Sequence, residues 1–206
     1  MSHNTWIHKI SRVLIVNPLV KTRLRPNHLT ALRMMIGLSA VAAFASGQTP
    51  YVQLGAVAFI ISILLDRADG DLARLTGQAT CMGHKLDLIA DSLCNSLIFV
   101  GLGIGLSRGD YGMSAVVMGV TAGVAVALIL AMVIRVERLE GARAAELGGA
   151  GGFDPDDAML IVPIAVLFGA AEGLLLAATI GAPCFAIFFL MLFRHKLSGG
   201  NRGSEG

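Results

Sequence analysis

The chain has 206 residues, 55% of them hydrophobic and only 15% charged, with a mean hydropathy of +0.73. That balance excludes an ordinary soluble domain. A formal net charge of +2 says little by itself, and no nucleic acid is expected as a partner. The apolar residues come in long blocks, and a helix needs about 20 such residues to cross the hydrocarbon core of a bilayer. The chain therefore reads as one all-α membrane domain over 1–206: an interfacial helix and link at 1–27, a six-helix core at 28–196 and a disordered tail at 197–206. It shows no internal repeat, no low-complexity tract and no cleavable signal peptide.

Taken in order, residues 5–20 alternate apolar and polar at helical period. Trp6, Ile7, Ile10, Val13 and Leu14 form a stripe away from His8, Lys9, Ser11 and Arg12, which suits an amphipathic helix in the membrane interface or one packed on the protein. Pro18 and Pro26 bracket a basic link. Spans are predicted at about 29–46, 51–75, 83–106, 112–135, 157–171 and 174–193. The fourth is rich in Gly, Ala and Val, as close helix packing requires. A polar loop at 137–156 precedes the short fifth span. Asn27 or Thr30 is placed to cap the first span, to touch a ligand, or both. The three cysteines, Cys81, Cys94 and Cys184, lack metal-type spacing and read as small core-like residues.

The second and third spans carry the chemistry. Asp66, Asp69, Gly70 and Ala73 fall at i, i+3, i+4, i+7, one face of a helix. Gly83, Asp87 and Asp91 fall at i, i+4, i+8, one face of the next. Carboxylates at the ends of long apolar runs need a partner of opposite charge. A divalent cation with oxygen ligands is the natural one, and Mg²⁺ usually shares its shell between carboxylates and substrate phosphates. Gly70, Ala73 and Gly83 let a flat or phosphorylated ligand approach the backbone.

The pattern Asp-x2-Asp-Gly-x2-Ala-Arg-x8-Gly-x3-Asp-x3-Asp, met here by Asp66, Asp69, Gly70, Ala73, Arg74, Gly83, Asp87 and Asp91, resembles the signature of the CDP-alcohol phosphotransferases, membrane enzymes of phospholipid synthesis. The resemblance implies transfer of a phosphatidyl group from CDP-diacylglycerol to an alcohol, with release of CMP. It implies Asp66, Asp69, Asp87 and Asp91 as ligands to one or two Mg²⁺ or Mn²⁺ ions, and Asp91 as the general base. The objection to that base is that a carboxylate beside a cation is a weak one. Gly70, Arg74 and Thr80 match the family's nucleotide-side positions. Pro26-Asn27-His28-Leu29-Thr30 is similar to a segment that lies beside the nucleotide. Homodimers are common in the family. Arg74 also reads as a partner of Asp71 or of the motif carboxylates, and Thr80 as a helix cap.

The acceptor is left open. Arg135, Arg138, Arg143 and Arg194 suit either a pocket for an anionic alcohol or ordinary flanking charge. Asp154, Asp156 and Asp157 at the start of the fifth span have no assigned role beyond helix-end charge or a preference for a neutral or cationic acceptor. With six spans and a cytoplasmic N-terminus, all of the 16 Lys and Arg residues except Arg108, and thus Arg33 too, fall on the cytoplasmic side. That places both termini and the four aspartates at the inner face of the cell membrane. The competing reading is a divalent-cation transporter or binding protein, which also suits membrane carboxylates but leaves the small residues unexplained. A calcium loop is excluded, because oxygens at alternate positions before the glycine and a later Glu are missing.

Overall fold

In a computed structural model, residues 26–140 and 155–198 are described, with Val16 and Pro18 ahead of them; the side chains of 137–140, 155–157 and 195–198 are not described. The expected interfacial stripe, Trp6 to Leu14, lies outside the described residues, as do Arg143, Asp154 and residues 199–206 of the tail. The described chain is helical: α1 Pro26–Ala45, α2 Thr49–Thr76, α3 Cys81–Leu106, α4 Met113–Glu140, a 3-10 helix Pro155–Leu160, α5 Ile161–Leu167 and α6 Ala171–Ser198.

The elements follow from uninterrupted apolar runs with sharp stops. Pro50 in the first turn of α2 accepts the helical φ where its missing N–H costs nothing. At the other end, Gly77 sits at φ +66°, and Gln78 N–H donates to Ala73 O at 3.0 Å. This left-handed cap satisfies the last carbonyls and reverses the chain. Three residues later the Thr80 hydroxyl accepts from Gly83 N–H at 3.0 Å and starts α3. A link of only four residues thus turns the two acidic halves of the motif to face each other.

α1 packs against both α2 and α3, α3 against α4, α4 against α6, and α5 against α2. One core runs through all of them, from Phe44 and Phe59 to Ile98, Phe99, Ala122, Val166 and Leu175. The α3–α4 crossing depends on absent side chains. A Cβ on Gly119 would lie 2.5 Å from Phe99 O and 3.0 Å from the Gly103 Cα. Val117, Val120, Val124 and Leu128 are exposed at helical spacing along α4, and Ile180, Ile187, Phe188 and Met191 along α6. Such stripes are the lipid-facing sides of an integral membrane protein.

Five helices, α1 to α4 and α6, are long and apolar enough to cross a membrane. The fifth expected span, 157–171, differs: its apolar helical part is Ala158–Leu167, opening as 3-10 helix and closing at Gly169 with φ +75°. Ten residues fall short of the roughly 20 that a bilayer core requires. Val16 is buried against Leu29, Leu65, Ala68 and Leu72, so the chain ahead of α1 rests on α1 and α2 at this point.

Candidate functional site

At a rise of about 1.5 Å per residue, Asp66 stands roughly 26 Å along α2 from Thr49. That is near the far edge of a hydrocarbon core about 30 Å thick. Here α2 and α3 bring their carboxylates together. Ligand oxygens of Asp66, Asp69 and Asp87 all lie within 4.8 Å of one another. Asp91, one turn further along α3, is outside that trio but joined to it through an arginine.

That arginine is Arg33 of α1, 3% exposed, the residue the sequence reading missed. Its Nη1 forms an ion pair with Asp66 Oδ1 at 2.7 Å and donates to Asp91 Oδ1 at 3.0 Å. Its Nη2 donates to Asp87 Oδ1 at 2.7 Å and to the Asp87 carbonyl at 2.9 Å. Nε faces Asp69 Oδ2 at 3.6 Å, too far for a hydrogen bond. One turn earlier, the Thr30 hydroxyl donates to the same Asp69 oxygen at 2.7 Å. The sequence did hold a signal: Arg33 is an ionisable residue inside an apolar run, three residues after Thr30, and such residues call for a named partner.

Thr30 is therefore not a cap. α1 already includes Pro26, so Thr30 is an interior residue whose hydroxyl serves Asp69. Asn27 is likewise inside α1, and its Oδ1 would sit 2.7 Å from a Cβ on Gly83, so the glycine makes room for it. A cleft of about 150 Å³ opens beside the acids, lined by Pro26, Asn27, Thr30, Asp69, Gly70, Ala73, Arg74, Gln78, Ala79, Thr80, Gly83, His84 and Asp87. Every residue expected on the nucleotide side lines it. Arg74 and Thr80 have the plainer roles as well: Arg74 Nη2 pairs with Asp71 Oδ1 at 2.8 Å, and Thr80 caps α3.

Arg135 on α4 and Arg194 on α6 are exposed and do not line the cleft. Near them Val136 packs with Phe189 and Phe193. Arg138 is in α4 with its side chain undescribed, and Asp156 and Asp157 fall in the 3-10 helix on the same terms.

Three carboxylates within 4.8 Å are the hard oxygen donors that Mg²⁺ and Mn²⁺ take, so the residues fit a divalent cation. Fold and site together define a polytopic membrane protein with a carboxylate centre beside a cleft at one end of its helices. A sequence model of the CDP-alcohol phosphatidyltransferase family matches residues 23–193, and the chain belongs to that family. It is 32% identical over 77 residues to a CDP-diacylglycerol–glycerol-3-phosphate 3-phosphatidyltransferase of Rickettsia felis, a match spanning 37% of this chain and 42% of that relative. The crystal structure of Mycobacterium tuberculosis phosphatidylinositol phosphate synthase with CDP-DAG bound shares the fold, with a TM-score of 0.68 and 19% identity over 97% of this chain and 99% of that one.

Proposed function

We propose that this protein transfers the phosphatidyl group of CDP-diacylglycerol to the hydroxyl of an alcohol, releasing CMP, with a divalent cation held by Asp66, Asp69 and Asp87. The observation that carries the reading is the meeting of those three carboxylates beside a cleft whose floor is kept low by Gly70, Ala73 and Gly83. Family membership supports the reaction class. The names of the two relatives, one taking glycerol 3-phosphate and one holding CDP-DAG, support the donor and a phosphorylated polyol as first acceptor to try.

In this reaction the acceptor oxygen forms a bond to the phosphorus that carries the diacylglycerol. The bond from that phosphorus to the bridging oxygen breaks, and CMP departs with the electron pair. A bound divalent ion supplies charge neutralisation on the diphosphate. The rest falls to the chain. Asp91 takes the acceptor's proton, and Arg74, 44% exposed at the cleft rim, offers charge-assisted hydrogen bonds to a phosphate. The rigid α2–α3 pair fixes the reacting groups, which is most of what a phosphoryl transfer asks of a protein. With the motif end on the cytoplasmic side of the cell membrane, a soluble nucleotide leaves into water while the acyl chains stay in lipid. A homodimer is compatible with the exposed apolar helix faces.

The test is CMP release from CDP-diacylglycerol by the full chain in nanodiscs. The acceptor panel runs from glycerol 3-phosphate and an inositol phosphate to neutral and cationic alcohols. Release that needs both an acceptor and Mg²⁺ or Mn²⁺, and stops in EDTA, is the expected result. Undiminished turnover after EDTA treatment refutes the metal's part. Cation flux into liposomes with no nucleotide present, and no CMP formed with any acceptor, replaces the reading with a transporter.

A further inference from the structure

Arg33 is too well connected to be a mere counter-charge. A guanidinium has five N–H donors in a fixed fork. Here the two Nη atoms reach Oδ1 of Asp66, Asp87 and Asp91, and the Thr30 hydroxyl beside them takes Oδ2 of Asp69. Each of the four aspartates thus has one oxygen tied to α1. A carboxylate has two, and the contacts among the described residues use one from each. Arg33 Nε is buried and has no hydrogen-bond partner among the described residues, so the fork is aimed at the carboxylates and not centred on any single one. The backbone beneath is fastened too: Ser62 Oγ donates to Arg33 O at 3.0 Å.

We propose that Arg33 is a positioning residue for the divalent cation: it holds one oxygen of Asp66 and one of Asp87 so that their second oxygens remain free and pre-set for the ion. This rests on the reading of the site as a metal centre. Hydrogen-bonded ligand carboxylates are the usual supporting layer of a metal site, and losing such a support costs 10–100-fold in metal affinity. The rival role is a cation that occupies the ion's place. The two roles give opposite signs. Removing a positive charge from beside four carboxylates makes them attract a divalent ion more strongly, so loss of a competitor tightens binding. Loss of a positioning residue weakens it.

The experiment is Mn²⁺ binding to the full chain in nanodiscs, read from the free-ion electron paramagnetic resonance signal, with no nucleotide or lipid substrate present. Wild type and Asp69→Asn come first. Binding by wild type that Asp69→Asn does not weaken removes the metal centre itself, and with it the proposed function. With that established, Arg33→Gln and Arg33→Lys are each expected to weaken Mn²⁺ binding by about 10–100-fold at unchanged thermal unfolding temperature. Lysine fails to rescue because one ammonium cannot span the separate aspartates that the fork joins. Unchanged or tighter binding in either variant overturns the proposal, and tighter binding makes Arg33 a competitor. If neither variant folds, Thr30→Val decides. It removes the parallel tie on Asp69 at nearly constant shape and is expected to weaken Mn²⁺ at least about tenfold, the scale of a lost hydrogen bond to a charged group. Unchanged affinity there refutes support from α1.

Discussion

Asp91→Asn separates the two jobs that the motif's last aspartate has been given. In the structure Asp91 stands outside the trio whose oxygens share 4.8 Å, and its Oδ1 accepts from Arg33 at 3.0 Å. An asparagine keeps an oxygen there, so the Arg33 contact survives and the neighbouring aspartates stay where they are. What is lost is proton affinity, since an amide cannot take the acceptor's proton. A positioned general base contributes about 10²- to 10⁴-fold, or roughly 3–5 kcal/mol of barrier. The expected result is therefore a fall in kcat for CMP release of that size, with Mn²⁺ binding within about threefold of wild type and CDP-lipid binding still measurable. Asp69→Asn is the contrast: it strikes a member of the trio and should raise the metal concentration needed for half-maximal rate. Wild-type kcat in Asp91→Asn refutes the base. Loss of Mn²⁺ affinity matching that of Asp69→Asn refutes the division of labour and makes Asp91 a ligand.

Three further outcomes follow from the helix contacts. Gly119→Ala places a methyl 2.5 Å from the Phe99 carbonyl, a backbone atom that cannot swing aside, so it should cost about 1–3 kcal/mol in thermal unfolding by overpacking the α3–α4 crossing. Gly77→Ala meets open space but keeps φ near +66°, so the cost is backbone strain alone, about 1–2 kcal/mol, read by the same melt. Arg74→Gln breaks a half-exposed pair with Asp71 that is worth less than about 1 kcal/mol to stability; it should leave the melt almost unmoved while raising KM for the CDP-lipid. An unchanged KM removes Arg74 from phosphate binding.

Much of this site was legible in the sequence because a helix translates spacing directly into faces. Asp66, Asp69 and Asp87 could be set on facing surfaces from their intervals alone, and the long apolar runs fixed the main helices to within a few residues. Roles that depend on a third element were not legible. A cap stayed open for Thr30 beside a ligand contact because the helix start was placed near 29, whereas α1 already includes Pro26 and turns Thr30 toward Asp69. Arg33 was counted as one more positive charge near a membrane edge, since flanking charge and buried counter-charge have the same spelling. Arg74 and Thr80 showed why two readings of one residue need not exclude each other: each makes its local contact and lines the cleft. The fifth span was drawn too long because hydropathy does not register the 3-10 turn after Pro155 or the left-handed Gly169.

The signature residues lie on α2 and α3, yet their geometry is governed from α1. Thr30, Arg33 and Gly37 follow at i, i+3, i+7 and form the face of α1 turned into the groove between the other two helices. At Gly37 a Cβ would lie 2.6 Å from the Cys94 sulfur and 3.0 Å from Ser62 Oγ, so a side chain there would have to displace a side chain on each neighbouring helix. The Arg33 fork reaches α2 and α3 together only because α1 sits this deep; its contacts at 2.7 Å to Asp66 on one side and Asp87 on the other leave no slack for a displaced helix. A glycine two turns below Thr30 is thereby part of the same device as the acids. The close approach it permits lets one buried guanidinium bridge two membrane helices whose like charges would otherwise push them apart.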